Sequence, residues 1–97
     1  MERRRFTRHE VALPVQIHAG ERGFVAETVN ISGSGLAVKL ESSALSGGGR
    51  VSVTIGELGE FNADVIDGGR LRLDISEQDQ ARLADDIVRK LAHMMPV

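Results

Sequence analysis

Four arginines stand within six residues near the start of the chain: Arg3, Arg4, Arg5 and Arg8. A guanidinium presents a planar fork of donors that can make two parallel hydrogen bonds to a phosphate or to O6 and N7 of guanine, and its flat face stacks on a base. Lysine cannot do all three. Composition alone is equally compatible with a disordered, solubilising tail that attracts anions without selectivity. A second candidate is the turn Asn30-Ile31-Ser32-Gly33-Ser34-Gly35. Its short polar side chains can offer an amide and a hydroxyl to a base edge, and Gly35 allows a backbone approach that a Cβ would obstruct. Taken alone, it is also an ordinary Asx or Ser turn between strands.

Catalytic arrangements are missing from the pattern. His9, His18 and His93 are widely separated and in no metal-ligand spacing, the acids are scattered singly, and no Gly-x-Ser-x-Gly elbow occurs. Gly33-Ser34-Gly35 is too short for a phosphate loop, and Lys39 is misplaced for one. Without cysteine, disulfides, thiolate zinc sites and cysteine nucleophiles are excluded, which suits a cytoplasmic location. We therefore expect no enzyme, no cofactor and no metal.

Charge placement marks the N-terminus. Residues 1–8 carry four arginines against Glu2, a net +3, while the other residues carry 8 bases and 13 acids, a net −5, consistent with −2 for all 97 residues. An anion site must therefore be local. No apolar run approaches the roughly 20 residues of a membrane span, and no apolar stretch after the arginines makes a secretory signal. A chain of this length buries one core and leaves any site on the surface. With no Trp or Tyr, base stacking would fall to Phe6, Phe24, Phe61 or the arginine planes.

The elements that must hold these residues follow from periodicity. Period-2 alternation predicts strands at about residues 11–18, 24–29, 36–40, 51–55, 61–66 and 70–75, with Pro14 favouring an edge position in the first. Glycine-rich turns separate them at 19–23, 30–35, 56–59 and 67–69, and residues 41–49 form a loop. The period then changes: Leu83, Ala84, Ile87, Val88, Leu91, Ala92 and Met95 draw an apolar stripe on a helix over 77–94, stopped by Pro96. Ser76 with Asp79 resembles a capping box, and Asp85–Arg89 and Asp86–Lys90 are spaced to pair on the other face. The stripe either covers the barrel end or serves a partner or dimer. The expectation is mainly β: a six-stranded antiparallel β-barrel or sandwich with one C-terminal α-helix, preceded by a flexible Arg-rich arm over residues 1–10.

Together, the two candidate motifs are more specific than either alone. Arg4-x-x-x-Arg8, followed 22 residues later by Asn30-x-Ser32-x-x-Gly35 at the start of such a strand series, resembles the PilZ-domain family over almost the whole chain. Both the RxxxR motif and the Asn form of [D/N]xSxxG are intact. The resemblance implies a six-stranded barrel with an attached helix, and a receptor for the bacterial second messenger cyclic di-GMP. It further implies that Arg4 and Arg8 contact phosphates and guanine faces from the arm, while Asn30, Ser32 and Gly35 surround a guanine. Arg5 matches no motif position and is an accessory candidate. The implied receptor is stand-alone, monomeric or homodimeric, with arm ordering on ligand binding as the signal to a downstream protein partner. A PilZ-like adaptor that binds no nucleotide is the alternative. An RNA or single-stranded DNA binder suits the arm but not the acidic remainder.

Overall fold

Alternation becomes inside and outside. Val15 and Ile17 are buried while Gln16 and His18 face solvent, and Val51, Val53 and Ile55 repeat the pattern in the fourth segment. The computed structural model describes residues 6–39, 49–67 and 69–94. In chain order they form β1 (Pro14–Ala19), β2 (Arg22–Ile31), β3 (Gly35–Lys39), β4 (Gly49–Ile55), a 3₁₀ turn (Gly56–Leu58), β5 (Glu60–Asp67), β6 (Arg70–Leu73) and α1 (Glu77–Met94). Arg3, Arg4, Arg5, Leu40, most of the expected 41–49 loop, Gly68, Met95 and Pro96 lie outside the described residues.

All pairings are antiparallel, and the strands close a barrel in the order β1-β2-β3-β6-β5-β4. The barrel consists of two three-stranded meanders, β1-β2-β3 and β4-β5-β6, joined along two seams. One seam pairs β1 with β4. The other pairs β3 with β6 through Gly35↔Arg72, Leu36↔Leu71 and Ala37↔Arg70.

Two local expectations change. The first strand begins at Pro14, not at residue 11, and lies inside the closed sheet. Pro14 is tolerated because it is the first strand residue, and pairing to β4 begins only at Val15. Residues 11–13 are held instead by Thr28, which is buried in β2. The Leu13 amide donates to Thr28 Oγ1 at 2.9 Å, the hydroxyl donates to the Val11 carbonyl, and the Thr28 amide donates to the Leu13 carbonyl at 2.9 Å. The hairpin loop between β1 and β2 contracts to Gly20 and Glu21. Gly20 takes φ +64°, the positive value that the first central residue of a II′ turn requires.

Helix α1 closes one end of the barrel. Ser76 Oγ accepts the Asp79 amide at 3.1 Å, which is the serine half of the expected capping box. Leu83 and Ile87 are buried in the core and Leu91 packs against it, so the barrel takes up this part of the stripe. Val88 remains half exposed. On the polar face, Arg89 reaches Asp86 at 3.9 Å, an i, i+3 pair in place of the expected i, i+4 spacing. No helix of the described residues is long and apolar enough to cross a membrane.

Candidate ligand site

The chain before β1 runs back along the end of β2. The His9 amide donates to the Ile31 carbonyl at 2.9 Å, and the Ile31 amide donates to the His9 carbonyl at 3.0 Å, forming an isolated antiparallel bridge. This pairing places Arg8 beside Asn30. The Arg8 guanidinium Nη1 donates to Asn30 Oδ1 at 2.6 Å, a short charge-assisted bond in a half-buried setting. The two motif residues are thus in direct contact. The bond uses one of the five guanidinium donors and leaves the Asn30 amide group as an additional donor.

A register shift between Thr28 and Asn30 in the β2–β3 pairing sets the position of Asn30. Thr28 keeps its side chain inside, Val29 is exposed, and Asn30 is half buried before Ile31 turns inward. The irregularity takes Asn30 out of strict alternation and places its amide beside the arm.

Ser32 organises the turn from within. It is buried, and its hydroxyl accepts the Ser34 amide at 3.3 Å, lies 3.2 Å from Ser34 Oγ and 3.4 Å from the Gly35 carbonyl. The Ser32 amide donates to the Gly35 carbonyl at 2.8 Å. In this arrangement the hydroxyl fixes the loop shape, and Ser34, which belongs to neither motif, is the more exposed serine.

The glycines of the turn answer to packing. A Cβ on Gly35 would stand 2.5 Å from the Leu71 carbonyl oxygen across the β3–β6 seam. A Cβ on Gly33 would stand 2.4 Å from the Gln80 carbonyl oxygen in the first turn of α1. The turn is therefore held between β6 and the helix, and the Leu73 amide bonds the Ser34 carbonyl at 3.0 Å from the β6 side. The sequence indicates the steric reason for Gly35 but not for Gly33, whose neighbour lies 47 positions further along.

Beyond the turn, the outer faces of β4, β5 and β6 carry an ion network. Arg50 bonds Asp74 at 2.6 Å and approaches Asp64 at 3.6 Å, Arg72 approaches Asp64 at 3.8 Å, and Arg70 meets Asp67 at 3.1 Å. Two clefts of about 390 and 290 Å³ lie elsewhere, between α1 and the 3₁₀ turn, and share Leu58 and Asp86. Among the described residues, no group of three or more His, Asp or Glu is arranged to hold a metal ion.

A closed six-stranded barrel with a helix across one end, and an arm arginine bonded to the asparagine of a glycine-serine turn, define the class. The chain belongs to the PilZ domain family, whose match spans residues 2–88. Among solved structures, it is similar to the PilZ domain of CeSA from a cellulose-synthesizing bacterium, at 28% identity and TM-score 0.69, over 90% of this chain and 99% of that one. It also resembles the Bacillus subtilis inhibitor of motility MotI/DgrA at 24% identity and TM-score 0.69, covering 99% of this chain but only 55% of that protein. The PilZ domain of YcgR from Escherichia coli, solved with c-di-GMP, matches at 18% identity and TM-score 0.59, over 97% of this chain and all of that one. The MotI/DgrA and YcgR likenesses speak for the fold. No curated protein sequence matches the chain.

Proposed function

We propose that this chain is a cyclic di-GMP receptor whose site is built from the RxxxR arm and the NxSxxG turn. The observation that carries the reading is the 2.6 Å bond from Arg8 to Asn30, which joins the two motifs. Family membership and the c-di-GMP in the structure of the YcgR domain supply the ligand class. In this reading Arg4 and Arg8 hold phosphates and guanine faces, Asn30 addresses a guanine edge, and Ser32 and Gly35 hold the turn that receives it. Arg5 adds an accessory positive charge.

The physical logic is a local cation field within an acidic domain. The ligand carries two phosphates, so the +3 of residues 1–8 attracts it, while the −5 of the remainder disfavours long polyanions. In this reading ligand binding orders the arm, and the bonds of Arg8 and His9 to β2 mark where it joins the barrel. The ordered arm would present a new surface to a downstream protein. A soluble, cytoplasmic setting fits this role, and neither catalysis nor a metal enters it.

Titration calorimetry with cyclic di-GMP tests the reading on the wild type, Arg4→Ala, Arg8→Ala and Ser32→Ala. Saturable binding by the wild type that weakens at least about tenfold in each arginine variant is the expected result. No binding by the wild type at micromolar ligand would leave the nucleotide-independent adaptor as the better description.

A further inference from the structure

We propose that Arg72 forms the far wall of the ligand site and reads the O6/N7 edge of a guanine. This inference rests on the cyclic di-GMP reading above and adds a residue that neither motif contains.

The argument starts from strand register. Asn30 pairs with Ala37 on β3, Ala37 pairs with Arg70 on β6, and Gly35, the last residue of the turn motif, pairs with Arg72. Arg70 and Arg72 both face outward, because Leu71 and Leu73 face the core. The turn motif is thus flanked on both sides: Arg72 rises from β6, two strand spacings or about 10 Å from Asn30 on β2, and Arg8 stands on the far side of β2, on the segment bridged to Ile31. Between Asn30 and Arg72, the outer face of β3 presents Gly35 and Ala37, neither of them a large side chain. The Leu73 amide bonded to the Ser34 carbonyl fixes this part of β6 to the turn itself.

Charge distinguishes Arg72 from its neighbours. Arg70 is matched by Asp67 at 3.1 Å, and Arg50 by Asp74 at 2.6 Å. Among the described residues, Arg72 has only a 3.8 Å approach to Asp64, and Asp64 is shared with Arg50 at 3.6 Å. Such a long, exposed pair commits little of the five-donor fork. Among these three arginines, Arg72 is the one least neutralised by its partners and the one directly opposite the motif glycine. A fork in that position meets the edge of a ring seated beside the turn. Guanine offers two acceptors there, whereas adenine offers one acceptor and one donor, so Arg72 selects guanine.

The test compares cyclic di-GMP with cyclic di-AMP by calorimetry on the wild type, Arg72→Ala, Arg72→Gln and, as a surface control on α1, Arg89→Ala, with thermal melts confirming that each is folded. Arg72→Ala is expected to weaken cyclic di-GMP at least about tenfold while leaving cyclic di-AMP within about twofold, which compresses the ratio between them. Arg72→Gln, with a side chain suited to adenine, should shift the ratio further toward cyclic di-AMP. If wild type binds cyclic di-GMP but Arg72→Ala leaves it unchanged, or weakens both ligands equally, this inference is overturned and the receptor reading stands. If wild type does not bind at all, both fail.

Discussion

The carbonyl oxygen of Gln80 occupies the place that a side chain on residue 33 would need, since a Cβ there would stand 2.4 Å from it. Backbone cannot retreat as a flexible side chain would, and Ala84 Cβ, one turn further along the same helix, would stand at 3.2 Å. Gly33→Ala should therefore destabilise the fold by about 1–3 kcal/mol, as overpacking does, and lower Tm by at least about 4 °C. The first turn of α1 should exchange its amides faster. An unchanged melt would mean that the helix moves aside at little cost.

The contact between Arg8 and Asn30 should appear in ligand binding as coupling. Arg8→Ala and Asn30→Ala should each weaken cyclic di-GMP binding, and the double variant should lose less than the sum by about 0.5–3 kcal/mol, because both act within one polar unit. Strict additivity in calorimetry would indicate that the two residues serve the ligand separately.

Thr28 offers a test of how the fold carries the site. Its hydroxyl serves both the Leu13 amide and the Val11 carbonyl, so Thr28→Val keeps the shape and leaves both groups without that partner. A loss of about 1–3 kcal/mol in urea denaturation is expected, with faster hydrogen exchange at Leu13. Ligand affinity should fall as well, since residues 11–13 lead directly from the Arg8 anchor into β1.

At the start of α1, Ser76→Ala removes the acceptor for the Asp79 amide. The expected cost is about 1 kcal/mol by chemical denaturation, and Ser76→Asp should restore most of it, because an aspartate caps equally well and favours the positive end of the helix. Failure of aspartate to rescue would show that the serine matters for packing.

The legibility of these features in the sequence depended on distance along the chain. Strands and helix could be read because alternation and the 3.6-residue stripe are local, and the observed helix, Glu77–Met94, carries the stripe from Leu83 to Ala92. The two motifs were legible as residue types in order, but the burial of Ser32 was not, since its hydroxyl is absorbed by the turn it shapes. Pro14 by itself suits an edge, and the sequence cannot show that β4 returns to pair with β1. The surroundings of Gly33 and Arg72 are illegible for the same reason: they come from α1 and from the β3–β6 seam, which bring together residues tens of positions apart.

That seam has a consequence for folding. Each meander is assembled from neighbouring hairpins, whereas β3 and β6 meet only after a long loop is closed, and the entropy of that closure is lost before three register pairs can repay it. A ligand held by Arg8 and Asn30 on one meander and by Arg72 on the other would act as a clasp across this joint, stabilising the closed barrel by mass action as its concentration rises. The second messenger would then be sensed as resistance to local opening, and slower hydrogen exchange along β3 and β6 would record its arrival.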